Sequence, residues 1–239
     1  MKTLHLLAIC LVACVQFGCA AAAVAPDNPV FIPNDDDSAR YSERQLNEDS
    51  PTVLQHVSGI GCAELTTERI PAGEMIYRLF SVENNAKTLI GTYEVFDNSF
   101  VQTQRVVTNS DKTWLVITYK SGWGTGFCWC VTKWVRIDGT GFVEVLEYPD
   151  NAYSETGEGG FINIACDETL QLTENSALWL KLDVCKSHDP ADANLAPRTG
   201  TIVFTSDENG AFKFDKDKST WTLWEFENPW DTPETEQAK

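Results

Sequence analysis

The sequence predicts an all-β fold, an antiparallel β-sandwich or barrel of about 10–12 strands after a flexible N-terminal leader. From residue 70 onward, apolar side chains recur with a period of two rather than 3.6, which is the pattern of half-buried strands. The repeating segments are rich in Val, Ile, Thr, Phe, Tyr and Trp, which suit a pleated sheet. Short turn sequences separate them, and no segment indicates an amphipathic helix longer than one or two turns.

The N-terminus has the layout of a secretory signal peptide. Lys2 precedes an apolar run from Leu4 to Phe17, and small residues follow this run. The run is too short for a transmembrane helix, because a span needs roughly 20 apolar residues. Ala21–Ala23 offers an A-x-A cleavage site, so one route of processing assigns residues 1–23 to the signal peptide of a freely secreted protein.

A second route of processing fits the same region. Phe17-Gly18-Cys19 resembles the end of a bacterial lipobox, in which the cysteine is lipidated and becomes the first mature residue. Cys19 is then the lipidation candidate, and the signal peptide is residues 1–18. Gln16 and Phe17 depart from the lipobox pattern, which prefers aliphatic and then small residues at these positions. The N-terminal layout is similar to that of bacterial envelope lipoproteins with β-rich bodies.

The composition of the chain predicts its domain boundaries. Residues 24–52 are rich in Pro, Asp, Asn and Ser, and such a leader buries too little apolar surface to offset its ordering entropy. Within this leader, Ser42 to Glu48 is the segment that fits a single helical turn. Residues 53–230 are predicted to form one β-rich domain, and residues 231–239 a disordered tail.

The charge of the chain limits its partners. The full chain has a formal charge of −17. A surface this acidic repels phosphate backbones and anionic lipids, so we expect no nucleic-acid partner. Contact with a membrane is expected only through a lipid on the N-terminus.

Eleven segments fit the strand pattern, and the residues between them have turn chemistry. The separators include Glu83-Asn84-Asn85, Asp138-Gly139 and Asp207-Glu208-Asn209-Gly210. The sequence GTGF occurs at 124–127 and again at 139–142, each time where a hairpin turn leads into a strand. The predicted strands are Met75–Val82, Thr88–Phe96, Phe100–Thr108, Lys112–Tyr119, Phe127–Ile137, Phe142–Glu147, Thr169–Thr173, Ala177–Cys185, Thr201–Thr205, Ala211–Phe214 and Thr220–Phe226.

Two of these segments also predict which residues share a face, because successive side chains of a strand point to opposite sides. The core face of 127–137 is predicted to carry Phe127, Trp129, Val131, Val135 and Ile137. Its wetter face is predicted to carry Cys128, Cys130, Thr132, Trp134 and Arg136. The core face of 177–185 is predicted to carry Leu178, Leu180, Leu182 and Val184, and the wetter face Trp179, Lys181, Asp183 and Cys185.

Cysteine usage predicts disulfides. Cys10 and Cys14 leave with the signal peptide. Once Cys19 is lipidated or removed, the disulfide candidates in the mature chain are Cys62, Cys128, Cys130, Cys166 and Cys185. Five cysteines leave at least one without an internal partner. Cys128 and Cys130 are not expected to bond each other, because strand residues i and i+2 lie roughly 6.5 Å apart. A shared face favours Cys185 as one cross-strand partner. Cys166 alternates with Ile162 and Ile164 and fits a core thiol or a partner of Cys62, or, at a strand end, a partner of the second cysteine of the pair.

The sequence predicts no catalytic residue. It lacks the G-x-S-x-G, H-E-x-x-H, P-loop and G-x-G-x-x-G motifs, and His188 fits a polar loop residue. Paired carboxylates such as Glu144 and Glu147 are the machinery of glycoside hydrolysis, but an acidic chain places such pairs together by chance. No cofactor and no metal are expected, because zinc-ligand spacing is poor in the one candidate set, Cys128, Cys130, Cys166 and Cys185.

Tryptophan is the best indication of a ligand, because exposed indole rings stack on sugars and suit protein interfaces. The ligand-binding candidates are Trp123, Trp134 and Trp179. Together these features predict an exported protein, secreted or lipid-anchored, with a non-enzymatic binding or structural role in the cell envelope or outside the cell. The predicted partner is a glycan or an envelope protein. The alternative is a carbohydrate-binding module or carbohydrate-active enzyme that uses surface Trp and paired carboxylates.

Overall fold

The computed structural model describes residues 41–47, 50–70, 74–95, 100–110, 112–155, 161–172, 176–187 and 197–227. The signal peptide, Cys19, most of the predicted leader, His188 and the tail from 228 onward lie outside these residues. The elements are β1 (Tyr41–Gln45), β2 (Thr52–Val57), β3 (Gly61–Arg69), β4 (Met75–Glu83), β5 (Ala86–Val95), β6 (Phe100–Asn109), β7 (Lys112–Gly124), β8 (Phe127–Asp138), β9 (Gly141–Glu155), β10 (Phe161–Gln171), β11 (Ala177–Ser187), β12 (Arg198–Ser206), β13 (Phe212–Phe214) and helix α1 (Leu223–Glu227).

The strands form two antiparallel sheets, so the predicted all-β sandwich is confirmed. One sheet has nine strands in the order β1-β6-β7-β8-β9-β10-β11-β12-β13, and the other has four in the order β2-β3-β4-β5. Neither sheet closes into a barrel within the described residues. Consecutive strands pair almost throughout, as expected for hairpins joined by short turns.

Two hydrophobic cores lie on opposite faces of the middle of the large sheet. The first core lies inside this sheet, which curves so strongly that Phe212 of β13 stacks on Trp114 of β7, with ring centroids 5.6 Å apart. This inner core also contains Val116, Leu180 and Phe204. The second core, the outer core, lies between β6–β8 and the small sheet. The result is three β layers, with β7 and β8 in the middle layer.

Burial on both faces corrects one prediction about β8. Trp134 was expected on the wetter face, but its side chain is fully buried in the inner core. Cys130 and Thr132 on the same face are also buried. The core face is buried at Val131, Val135 and Ile137, whereas Phe127 at the strand end is 44% exposed. A strand covered on both sides is expected to contain a continuous apolar run, and β7 has one at 114–117, whereas Thr132 and Lys133 interrupt β8.

Several segments differ from the sequence prediction. Strands β2 and β3 were not among the predicted strands, and β10 begins at Phe161 rather than Thr169. Residues 41–45, assigned to the flexible leader and partly to a helical turn, form strand β1 at the edge of the large sheet, paired with β6. Thr220–Phe226 was predicted as a strand, but its end forms helix α1. The predicted turns are confirmed: Asn84 and Asn85 have φ of 49° and 65°, and both GTGF sequences contain hairpin turns at 125–126 and 139–140.

Candidate functional site

A polar cleft of about 400 Å³ opens where one end of the middle layer meets two turns. Its walls come from the start of β7, the end of β8, the β12–β13 turn and the β2–β3 turn. The volume falls within the usual range of small-molecule sites, although such sites are commonly more apolar than this one. The lining residues are Ser58, Lys112, Thr113, Arg136, Ile137, Asp138, Asp207, Glu208, Asn209 and Ala211.

The β12–β13 turn forms one wall and is held firmly in place. Asp207 Oδ1 accepts hydrogen bonds from the backbone N–H groups of Asn209 (2.9 Å) and Ala211 (3.0 Å). The indole N–H of Trp114 donates to the carbonyl of Gly210 at 2.8 Å. Arg136 Nη1 donates to the carbonyl of Asn209 at 3.2 Å. Because Trp114 and Arg136 lie on β7 and β8, these bonds fix the turn against the middle layer.

The opposite wall depends on a close approach of two glycines. The Gly139 N–H donates to the Ser58 carbonyl at 2.7 Å, which ties the β8–β9 turn to the β2–β3 turn. A Cβ atom on Gly139 would lie 3.1 Å from the backbone of Gly59. A larger residue would therefore push the small sheet away from this end of the cleft. This contact gives the second glycine pair of the repeated GTGF sequence a packing role beyond the turn itself.

Two buried hydrogen-bonding atoms of the cleft lining have no hydrogen-bond partner among the described residues. They are Thr113 Oγ1 and Arg136 Nε. Thr113 is 1% exposed, so its hydroxyl has little access to bulk solvent. An unsatisfied buried polar group costs about 1–3 kcal/mol. Groups left in this state at the edge of a cleft are suited to bind a ligand or ordered water.

Two carboxylates of the cleft, Asp138 and Asp207, are held in the ionised form. Burial acts to raise the pKa of Asp138, but hydrogen bonds from Thr140 and the Arg136 guanidinium outweigh it and lower the pKa overall. Arg136 Nη2 lies 2.9 Å from Asp138 Oδ2. The ion pair with Lys213 (3.1 Å) and the backbone N–H groups of the turn lower the pKa of Asp207. The cleft therefore offers fixed acceptors beside the Thr113 and Arg136 donors.

A second polar site, the Arg105 network, lies inside the large sheet. It consists of Glu43 of β1, Arg105 of β6, Tyr148 and Asp150 of β9, and Glu168 of β10. Arg105 Nη2 and the Tyr148 hydroxyl both donate to the Glu168 carboxylate. Arg105 Nε lies 2.9 Å from Glu43 Oε1, although the two atoms are not aligned for a hydrogen bond. The guanidinium also lies 5.8 Å from the ring centroid of Trp134.

This network keeps carboxyl groups in a dry environment. Burial raises the pKa of Asp150, and the nearby Glu168 raises it further, against Thr132 and Arg105. Burial likewise raises the pKa of Glu43. Burial acts to lower the pKa of Arg105, but Glu168, Tyr148 and Glu43 raise it overall. The network lies in the inner core rather than in the cleft, so its role is to join β1, β6, β9 and β10.

The three tryptophan candidates lie in different parts of the fold. Trp134 is fully buried, and its indole N–H lies 3.5 Å from the Tyr148 hydroxyl, so no ring face is open to solvent. Trp179 is half-buried on β11, and its buried Nε1 has no hydrogen-bond partner in the described part of the chain. Trp123 belongs to β7, where its backbone pairs with Cys128. Neither Trp134 nor Trp179 lines the cleft.

The five cysteine candidates do not form disulfides in this structure. No two of them lie at disulfide distance, and the Sγ atoms of Cys128 and Cys130 are 4.0 Å apart. Cys62 is exposed on β3, in the other sheet. Cys166 lies against the inner core, and burial raises its pKa well above the usual value. The cross-strand pairings with Cys185, Cys166 and Cys62 stay predictions about the oxidised protein.

The carboxylate pair Glu144 and Glu147 is occupied by other contacts. Lys133 Nζ lies 3.1 Å from Glu144 Oε1 and 3.0 Å from Glu147 Oε2, between the two side chains. Tyr93 donates its hydroxyl to Glu144 at 2.8 Å. In the described residues, no group of three or more His, Cys, Asp and Glu side chains is placed to hold a metal ion. Over the same residues, no helix has the length and apolar character needed to cross a membrane.

Sequence reasoning did not find the cleft. Arg136 and the Asp207 turn were recognised separately, as a wetter-face residue and as a hairpin turn. Thr113 carried no signal, because a threonine in an apolar strand is ordinary. Only the approach of β13 to β7 and β8 brings these residues together.

Comparison of the chain with protein-family models, with curated proteins and with solved structures gave no match. Fold and site therefore define the class without help from relatives. The molecule is a three-layer antiparallel β protein with a polar cleft at one end of its middle layer.

Proposed function

We propose that this chain is an exported, non-enzymatic binding protein of the cell envelope or extracellular space, and that the polar cleft is its binding site. The N-terminal layout supports export, because a cationic start, an apolar run and a small-residue exit form the pattern of a signal peptide. The observation that carries the binding role is the pair of unpartnered buried atoms, Thr113 Oγ1 and Arg136 Nε, at the cleft.

The chemistry of the lining indicates the kind of ligand. The Thr113 hydroxyl and the Arg136 guanidinium supply donors, and the ionised Asp138 and Asp207 supply acceptors. A small, polar molecule with both hydroxyl or amino donors and oxygen acceptors satisfies this lining. A glycan fragment belongs to this class, as does a polar segment of an envelope protein.

Binding is supported over hydrolysis by the state of the carboxyls. Glycoside hydrolysis needs one carboxyl that retains its proton as the general acid beside one that is ionised. Asp138 and Asp207 both have lowered pKa values, and both are held by ion pairs. A carboxylate fixed by arginine or lysine is a recognition group and a poor proton donor.

The carbohydrate-active alternative keeps one supporting observation. Trp179 lies half-buried on β11, and Lys181 and Asp183 follow it on the same face. An aromatic ring beside charged groups is a common sugar-binding arrangement. Release of reducing ends from a panel of polysaccharides, abolished by Asp138→Asn, would replace our proposal with this one.

The binding proposal is tested with two cleft variants. Thr113→Val keeps the side-chain shape and removes the hydroxyl, and Arg136→Gln removes the charge. We expect saturation-transfer NMR against monosaccharides, amino acids and dicarboxylates to detect binding, and each variant to weaken it by about 10–100-fold, the effect of losing a hydrogen bond to a charged group. Arg78→Gln is the control, because it removes an exposed arginine that pairs with Glu68 in the small sheet.

Thr113→Val also separates binding from folding. Removing an unsatisfied buried hydroxyl is expected to stabilise the ligand-free protein by about 1 kcal/mol, even as binding is lost. Urea unfolding measures the first effect and NMR the second. Undiminished binding in both Thr113→Val and Arg136→Gln would exclude the cleft as the binding site.

The export proposal has its own test. Mass spectrometry of the chain made in a bacterial host from its own first codon identifies the mature N-terminus. A product that starts at a lipid-modified Cys19 supports the anchored form, and one that starts at Val24 supports the secreted form. A product that retains residues 1–18 contradicts export.

A further inference from the structure

The sulfur atoms of Cys128 and Cys130 lie closer together than the spacing of residues along a β-strand requires. Residues two apart on one strand have side chains on the same side, separated by roughly 6.5 Å at the backbone. Here the two Sγ atoms are 4.0 Å apart, so the side chains turn toward each other. Cys130 is 5% exposed, and Cys128 is half-buried beside it. The pair therefore has one sheltered sulfur and one that a solute can reach.

The strand prevents the two sulfurs from bonding each other. A disulfide needs an S–S distance of about 2.05 Å and Cβ atoms about 3.8 Å apart. Strand β8 is paired on both sides here, with Trp123 and Tyr153 opposite Cys128 and with Lys120 and Asn151 opposite Cys130. Drawing the Cβ atoms together would break these pairings. The geometry favours two thiols that persist side by side.

We infer that Cys128 and Cys130 form a two-thiolate site for a soft monovalent metal ion of the Cu(I) type. Metal–thiolate bonds of about 2.3 Å place two sulfurs about 3.8 Å apart in a tetrahedral arrangement and about 4.6 Å apart in a linear one. The observed 4.0 Å lies within this interval, so an ion fits between the sulfurs without a change in the strand. Thiolates are ligands that select Cu(I) among biological metals.

Charge and proton balance set the conditions of binding. Each thiol releases its proton to water as its sulfur bonds the ion, so two thiols and one monovalent cation give a complex of charge −1. Lys120, opposite Cys130, provides a nearby positive charge, whereas Asp150 provides an opposing negative one. This site is separate from the polar cleft and does not depend on the proposed function of the cleft.

The test is titration of the reduced mature protein, which lacks residues 1–23 and their three cysteines, with Cu(I) in competition with a chromogenic Cu(I) chelator, without oxygen. We expect one ion per chain and an ultraviolet thiolate-to-copper absorption band. Cys128→Ser and Cys130→Ser should each lower the affinity by at least about 100-fold, since each removes a direct ligand. Cys62→Ser is the control, because it removes an exposed thiol in the other sheet and should leave the affinity unchanged.

Circular dichroism of each variant separates loss of binding from loss of folding, and Lys120→Met gives a variant that keeps both sulfurs. Lys120→Met is expected to weaken binding several-fold while the absorption band is retained. Copper binding that survives Cys128→Ser and Cys130→Ser unchanged would overturn the inference. A native disulfide map in which Cys128 or Cys130 is bonded to any cysteine, including the cross-strand partners predicted from sequence, would also overturn it.

Discussion

Among single residues, Gly200 is the position where the fold is least tolerant of a side chain. A Cβ atom there would lie 1.8 Å from Nε1 and 2.0 Å from Cδ1 of Trp221, so the space beside the Gly200 backbone is filled by the indole ring. Trp221 is 6% exposed, and the Arg198 guanidinium covers it at 4.4 Å from the ring centroid, so the ring cannot move away freely. We expect Gly200→Ala to lower the free energy of unfolding by roughly 3 kcal/mol, measured by urea denaturation.

The same substitution in a Trp221→Leu protein distinguishes a clash with the Trp221 ring from a requirement of the backbone for glycine. In a Trp221→Leu protein the ring is absent, so adding Gly200→Ala should cost less than about 1 kcal/mol. An equal loss in both backgrounds would mean that the β12 backbone, and not Trp221, requires glycine.

Asp150 gives a prediction about pH. Its pKa in the folded protein is raised above 3.8 by burial and by Glu168, despite the Thr132 hydrogen bond and Arg105. The folded state therefore binds this proton more tightly than the unfolded state, and its contribution to stability is present at low pH and lost as the pH rises through the folded pKa. The Cys166 and Cys130 thiols also lie near this carboxyl.

Asp150→Asn removes the ionisable carboxyl, and with it the loss of stability at higher pH, while keeping a side chain of the same shape. The variant should be more stable than the wild type at about pH 7, and the difference should shrink as the pH falls to about 3.5. Urea unfolding at the two pH values measures both differences. Lower stability of Asp150→Asn at neutral pH would show that the bonds of the carboxylate outweigh its burial.

Side-chain alternation predicted faces correctly where only one face of the strand is covered. Leu178, Leu180, Leu182 and Val184 are all buried, as expected. The same reasoning failed for Trp134, because alternation assigns residues to sides but cannot say whether the second side meets water or another layer. The apolar run at 114–117 of β7 indicates cover on both faces, but the polar residues of β8 gave no such indication for Trp134 itself.

Helix α1 shows how a short local signal can override alternation. Residues 220–226 alternate well enough to predict a strand, yet the T-x-x-E sequence from Thr222 to Glu225 forms a capping box. Glu225 Oε2 accepts from the Thr222 N–H at 2.8 Å, and the Glu225 N–H donates to the Thr222 hydroxyl at 3.2 Å. The helix then covers the end of the inner core with Phe226.

Two substitutions test the capping box. Thr222→Ala removes the hydroxyl acceptor and should destabilise the protein by about 1 kcal/mol. Glu225→Gln keeps an acceptor for the Thr222 N–H and loses only the 3.2 Å ion pair with Arg198, so its cost should be smaller. Denaturation midpoints of the two variants give the comparison. The reverse order would assign the stability of α1 to the ion pair and not to the cap.

Strand β1 could not be found from sequence because its stabilising contacts are distant. The segment Tyr41–Gln45 is polar and lies beside an acidic, proline-rich stretch, so local composition predicts a leader. Its place in the sheet comes from pairing with β6 and from Glu43 beside Arg105. Arg105 lies more than 60 residues away along the chain, and only the tertiary fold reveals the contact.

Across the molecule, the sequence predicts features that depend on neighbouring residues and misses features that depend on contacts between distant segments. The strand period and the turn residues are local, and they gave the all-β class and most hairpins. The cleft joins the β2–β3 turn, the start of β7, the end of β8 and the β12–β13 turn. These parts meet because the large sheet curves and the small sheet docks on it. No local pattern encodes that curvature.

The sharing of β7 and β8 by two cores makes the layers one cooperative unit, and Leu65 tests this. Leu65 is 1% exposed in the outer core, and Leu65→Ala should cost about 2–5 kcal/mol. The small sheet contains no tryptophan, so intrinsic fluorescence reports only on the rest of the chain. Because Leu115 and Ile117 of β7 face the outer core while Trp114 and Val116 face the inner one, damage to either core should reach the other.

We expect Leu65→Ala to lower the urea midpoint by fluorescence and by circular dichroism equally. A fluorescence midpoint that stays at the wild-type value while circular dichroism shows an earlier transition would mean that the small sheet unfolds alone.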